Sequence, residues 1–91
     1  MNHPRKPPEG FIEKLLDVLA LVLAEPRTVR QMLEITEYKA DTLHKYMDRA
    51  IDYGLVYICR YDPHPLPGRE PRAVYAMQPS PFKYQSVPRP S

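Results

Sequence analysis

Residues 32–56, MLEITEYKADTLHKYMDRAIDYGLV, read as a short helix, a tight turn, a longer helix and the beginning of a strand. Leu33, Ile35, Tyr38, Leu43, Met47, Ala50, Ile51 and Leu55 fall largely at the three-to-four spacing that keeps one helix face in a core. Lys39, Asp41, Thr42, His44, Lys45 and Arg49 are then left pointing outward. A helix that presents Thr, His, Lys and Arg from its first turns, packed across a shorter helix, has the geometry that enters a DNA major groove.

The stretch resembles the winged helix-turn-helix superfamily, in the style of small bacterial and phage transcriptional regulators. In that pattern a hydrophobic scaffold helix is followed by a turn, a recognition helix and a closing x-Gly-Leu-Val that begins the wing. Tyr53, Gly54, Leu55 and Val56 match that ending, and the resemblance runs over residues 11–78. It implies an α+β fold, a three-helix bundle with a helix-turn-helix and a two-stranded β-hairpin wing. It also implies a double-stranded DNA-binding transcriptional regulator that acts as a dimer, its third helix in the major groove and its wing on the backbone or minor groove. Such motifs are patterns of residue type, so they speak to fold more firmly than to function.

Two features depart from the pattern. Glu37 follows Thr36 where many relatives have Gly in the turn; a non-Gly residue rarely takes positive φ, so a differently shaped turn is expected. The third helix, residues 39–52, sets Lys39, Lys45 and Arg49 against Asp41, Asp48 and Asp52 and is formally neutral, a weak electrostatic footprint for DNA.

With 91 residues and 43% hydrophobic content, the chain suits one small domain with a modest core, which a dimer would extend. The net charge of +2 is unevenly placed. Residues 11–54 hold six Lys or Arg against eight Asp or Glu, whereas from Leu55 onward Arg60, Arg69, Arg72, Lys83 and Arg89 outweigh Asp62 and Glu70. A phosphate-binding surface would therefore lean on the wing and tail. Cys59 is the only cysteine, so no internal disulfide can form, and a reducing cytoplasm is the natural setting. The start MNHPRKPPEG has no apolar run behind its basic residues and does not read as a signal peptide. The apolar run at residues 15–24 contains Asp17 and is too short to span a bilayer.

Along the chain, residues 1–9 read as a flexible Pro-rich arm, 10–78 as the domain and 79–91 as a Pro-rich tail, extended or disordered. Phe11 to Glu25 is a first helix with Phe11, Ile12, Leu15, Leu16, Leu19, Val22 and Leu23 on one broad face, ended by Pro26. Val18, Ala20, Leu21 and Ala24 make it apolar almost all round, so its outer side is expected to seek a partner, a second copy in the first instance. Val87 and Phe82 of the tail are the alternative cover. Thr28 and Gln31 have the spacing of a capping box, which starts a second helix at Val29 carrying Val29, Met32 and Leu33 inward. Tyr38 is expected to wedge between the second and third helices, and Gly54 to supply a left-handed helix end. Leu55–Tyr61 and Ala73–Gln78 read as an antiparallel pair around the loop DPHPLPGREPR, whose four prolines preclude a regular ladder.

The DNA-facing candidates are Lys39, Thr42, His44, Lys45 and Arg49 on the third helix, with Lys suited to guanine or phosphate and Thr to base edges. Arg60, Arg69 and Arg72 join them on or beside the wing. Asp41 reads either as an acceptor for a cytosine amino group or, more in keeping with its position, as a favourable charge at a helix N-terminus. Tyr57, Tyr61 and Tyr75 suggest either a stacking surface or, more in keeping with a sheet, half-buried packing. His64 and Cys59 are too few for a metal site, and no cofactor motif or acid-base pair with a pocket is visible, so no enzyme is expected. The competing reading is a winged-helix protein-interaction module that docks a protein partner and does not bind DNA.

Overall fold

A computed structural model describes residues 10–79 and 83–90. The chain order is α1 (Phe11–Ala24), β1 (Arg27–Thr28), α2 (Val29–Ile35), α3 (Ala40–Asp52), β2 (Val56–Asp62) and β3 (Arg72–Met77). Three helices therefore stand with a three-stranded antiparallel sheet of order β1-β3-β2. The arm expected over residues 1–9, and Phe82, lie outside the described residues.

In α1 the buried side chains are Phe11, Leu15, Val18, Leu19 and Val22, a single strip at three-to-four spacing. This corrects the broad face expected from the sequence: Ile12, Leu16 and Leu23 are 49%, 58% and 70% exposed. A helix against one layer can bury only part of its circumference, and these three form a second strip beside the buried one. Glu25 is extended before Pro26, and the Arg27 Nε donates to the Leu21 carbonyl at 2.8 Å, satisfying one of the groups that a helix end leaves open.

The sequence reading of a two-stranded hairpin is also corrected, because β1 adds a third strand. Arg27 pairs with Tyr75 and Thr28 with Val74. Two residues cannot display an alternation, so only their partner on β3 makes them a strand. Thr28 also caps α2: its Oγ1 accepts from the Gln31 amide at 3.1 Å, and its own amide donates to the Gln31 Oε1 at 2.9 Å. The turn after α2 needs no left-handed residue. Thr36 is extended, its hydroxyl donates to the Met32 carbonyl at 2.8 Å, and no described non-Gly residue has positive φ. Glu37 is thereby accommodated.

Leu43, Tyr46, Met47 and Ala50 are the buried face of α3. Tyr46 was absent from the periodic set read off the sequence, while Ile35 and Leu55, included there, are exposed. Tyr46 meets Phe11 and Tyr38 edge-on, with ring centroids 5.3 Å and 5.8 Å away, so one aromatic chain ties α1, α3 and the preceding turn. Gly54, at φ 74°, closes α3: its amide donates to Ile51 and the Leu55 amide to Ala50, each at 2.9 Å, the pairing of a Schellman end.

Val56, Ile58 and Tyr75 face the helices. Cys59 is the extra residue of a bulge, after which Arg60 pairs with Val74 and Tyr61 with Ala73. Tyr61 thus joins Ile58 on the helix side and Arg60 turns to the other. Residues 83–90 form no helix or strand but run along the open edge of β2. The Gln78 side-chain amide exchanges two 2.7 Å hydrogen bonds with the Tyr84 backbone. The Ile58 amide donates to the Ser86 hydroxyl at 3.0 Å, and the Val87 amide donates to the Ile58 carbonyl at 2.8 Å. An edge strand otherwise offers such groups to another chain.

Thr28→Ala removes the cap from a nearly fully buried position. A loss of about 1–2 kcal/mol is expected, read from urea unfolding as a lower midpoint with unchanged slope.

Candidate nucleic-acid interface

The fold leaves the face of α3 opposite Leu43 and Met47 in solvent. Lys39 precedes the helix as its N-terminal flanking residue, exposed and with no side-chain capping bond. Thr42, Lys45 and Arg49 make one row along the helix and Asp41, Asp48 and Asp52 another, with His44 on the far side of the aspartates, toward the hairpin. The shallow depression on this face is lined by Asp41, His44, Lys45, Asp48, Arg49 and Asp52, so the cations lie among carboxylates. Thr42 is half-buried; His44, Lys45 and Arg49 are exposed.

The hairpin residues go to three different places. Arg69 is exposed in the loop, after Gly68 with its left-handed φ of 78°. Arg60, turned away from the helices by the bulge, holds Asp62 with its Nε 3.0 Å from Oδ1. Arg72 is half-buried at the start of β3, its Nη2 3.2 Å from the Nε2 of His64. Helix residues and hairpin residues therefore do not form one continuous basic surface. Sequence reasoning missed the approach of Arg72 to His64, since the seven intervening residues of proline-rich loop give no period to read.

His64 organises that loop. Its Nδ1 accepts from the Leu66 amide at 3.0 Å, which requires a nitrogen without a proton; the neutral ring then carries its proton on Nε2, so the approach of Arg72 there is a meeting of two donors and not a hydrogen bond. Partial burial first, then the charges of Arg72 and Arg69, lower its pKa from the ordinary histidine value.

Tyr57, Tyr61 and Tyr75 do not share a surface. Tyr57 lies against Tyr84, with centroids 5.4 Å apart, on the face away from the helices, whereas Tyr75 is buried on the helix side. Tyr61 and Tyr75 border a cleft of about 530 Å³ between α2, the flank of α3 and the hairpin, bounded further by Ala40, His44, Asp48 and Arg89. Burial first, then the negative charge of Asp48 and the neighbouring Tyr61 hydroxyl, raise the Tyr75 phenol above its ordinary pKa, while Arg89 pulls it down. Nothing local in the sequence announces this cleft, because its walls come from five separate segments. Among the described residues no group of three or more His, Cys, Asp or Glu is arranged to hold a metal ion, and no helix is long and apolar enough to cross a membrane.

Comparison with protein-family models, curated proteins and solved structures returns no match to this chain.

Because the folded state favours neutral His64, its contribution to the loop is complete above the unfolded-state pKa of about 6.5 and is lost as the pH falls below it. Acidification should therefore speed hydrogen exchange of the Leu66 amide, and His64→Ala should abolish that pH dependence. An amide equally protected at neutral and at mildly acidic pH would contradict the assignment.

Proposed function

We propose that this chain is a winged helix-turn-helix domain that binds double-stranded DNA as a dimeric transcriptional regulator in the cytoplasm. The observation that carries the reading is the placing of α3: one face is locked into the core by Leu43, Tyr46, Met47 and Ala50, and the outward side carries Lys45 and Arg49, flanked by half-buried Thr42 and shared with Asp41, Asp48 and Asp52. A helix so held can lie in a major groove, with Lys39 and His44 near its first turn. The hairpin follows α3 directly, and its loop carries Arg69 outward for backbone or minor-groove contact. Three helices with a hairpin directly after the third are compatible with a winged helix, and short β1 pins that hairpin to the helical layer. In this reading the exposed strip of Ile12, Leu16 and Leu23 on α1 joins two copies.

A second reading has a specific observation behind it. The carboxylates of Asp41, Asp48 and Asp52 share the outer face of α3 with its cations and oppose phosphate, which favours a protein-docking module.

Fluorescence anisotropy of labelled random duplex across a salt series separates the two. Phosphate contacts make log K fall with log salt by about 0.9 per phosphate. Lys39→Ala/Lys45→Ala should weaken binding across all sequences, and Arg69→Ala should reduce the salt slope by about one unit. Absence of binding at low salt would sink the regulator reading and direct the search to protein partners.

A further inference from the structure

The cleft between α3 and the hairpin is independent of the nucleic-acid reading and has a chemistry of its own. Its floor is apolar and aromatic: Ile58, Tyr61, Ala73 and Tyr75 from the sheet face Val29 and Leu33 of α2. A volume of about 530 Å³ is suited to a small molecule rather than a polypeptide segment. Charges of both signs line it: Asp48 and Glu70 against Arg30, Arg72 and Arg89. Asp48 comes from α3 and has no ion-pair partner among the described residues. Arg89 comes from the C-terminal segment that is tied to β2 through Ser86 and Val87.

Asp48 and Arg89 both line the cleft beside Tyr75, whose phenol pKa Asp48 raises and Arg89 lowers. Tyr75 borders the cleft although the residue is only 5% exposed. Arg89 is only loosely engaged: its Nη1 lies 3.6 Å from the Glu70 Oε2, and both side chains are largely exposed, a pairing worth little. Arg30 is held by Glu34 and Arg72 lies against His64, so Asp48 and Arg89 are the charges left to a ligand, and an anion alone would meet the first and a cation alone the second. A molecule with a carboxylate, an ammonium group and an apolar body answers all of it.

We propose that this cleft binds a small zwitterion with an apolar or aromatic body, of the amino-acid type, its ammonium group toward Asp48, its carboxylate toward Arg89 and its body against Tyr61 and Tyr75. The C-terminal segment thereby completes the site as well as covering the edge of β2. Charge-assisted hydrogen bonds at both ends set the orientation.

The test is an amide NMR titration of the full chain with L-phenylalanine, run beside 3-phenylpropionate and 2-phenylethylamine, which keep one charge each. Saturable shifts should centre on Ala40, His44, Tyr61, Ala73 and Tyr75, with the zwitterion binding about tenfold or more tighter than either analogue. Asp48→Asn should erase the advantage over the carboxylate and Arg89→Gln the advantage over the amine. Both positions are exposed, so both variants should keep the native spectrum. The proposal is overturned by an absence of saturable shifts, by equal binding of an analogue, by shifts centred elsewhere, or by variants that bind phenylalanine as the parent does. The analogue comparison decides the matter even if a variant misfolds.

Discussion

Thr28 is where the two layers of this protein are joined. It is 4% exposed, its backbone pairs with Val74 on β3, and its side chain closes the capping box that starts α2. A single residue is thus the end of a strand and the beginning of a helix, with no loop between them. The position of α2 on the sheet follows from it, and through the short α2–α3 turn so does the position of α3. Burial makes the joint rigid, because an uncapped amide at that depth would forfeit its partner without gaining water.

Packing then fixes how α3 is presented. Tyr46 sits edge-on to both Phe11 and Tyr38, and Met32, Leu43 and Met47 are fully buried around it. These contacts hold the rotation of the helix, and with it the choice of which row faces outward. The outcome is a row of Thr42, Lys45 and Arg49 alongside a row of three aspartates. Mixed charge at a helix face lowers nonspecific attraction to polyanions and leaves discrimination to direct contacts.

The C-terminal segment shows how a proline-rich stretch can be ordered without a regular element. Proline at positions 88 and 90 denies it a continuous ladder, yet one side-chain amide, one hydroxyl and one backbone amide are enough to lay it on β2. The consequence reaches the far side of the sheet, where Arg89 comes to the rim of the cleft. The bulge at Cys59 has a comparable reach. One extra residue reverses the alternation, so Tyr61 borders the cleft and Arg60 leaves it.

The sequence by itself determined what depends on neighbours a few positions apart. The capping box of Thr28 and Gln31, the stop at Pro26, the left-handed end at Gly54 and the three helices all rest on i to i+4 relations that the letters display. It misjudged which apolar positions on α1 would be inside: Ile12, Leu16 and Leu23, read as part of the inward face, went outward. Only the tertiary structure decided the third strand, the approach of Arg72 to His64, the course of residues 83–90 and the cleft. Each of these joins residues distant in sequence, such as Thr28 with Val74 or Ile58 with Val87, and such pairings leave no period in the chain. A two-residue strand has too little length to carry an alternation, and a cleft walled by five segments exists only once the helices have been set against the sheet.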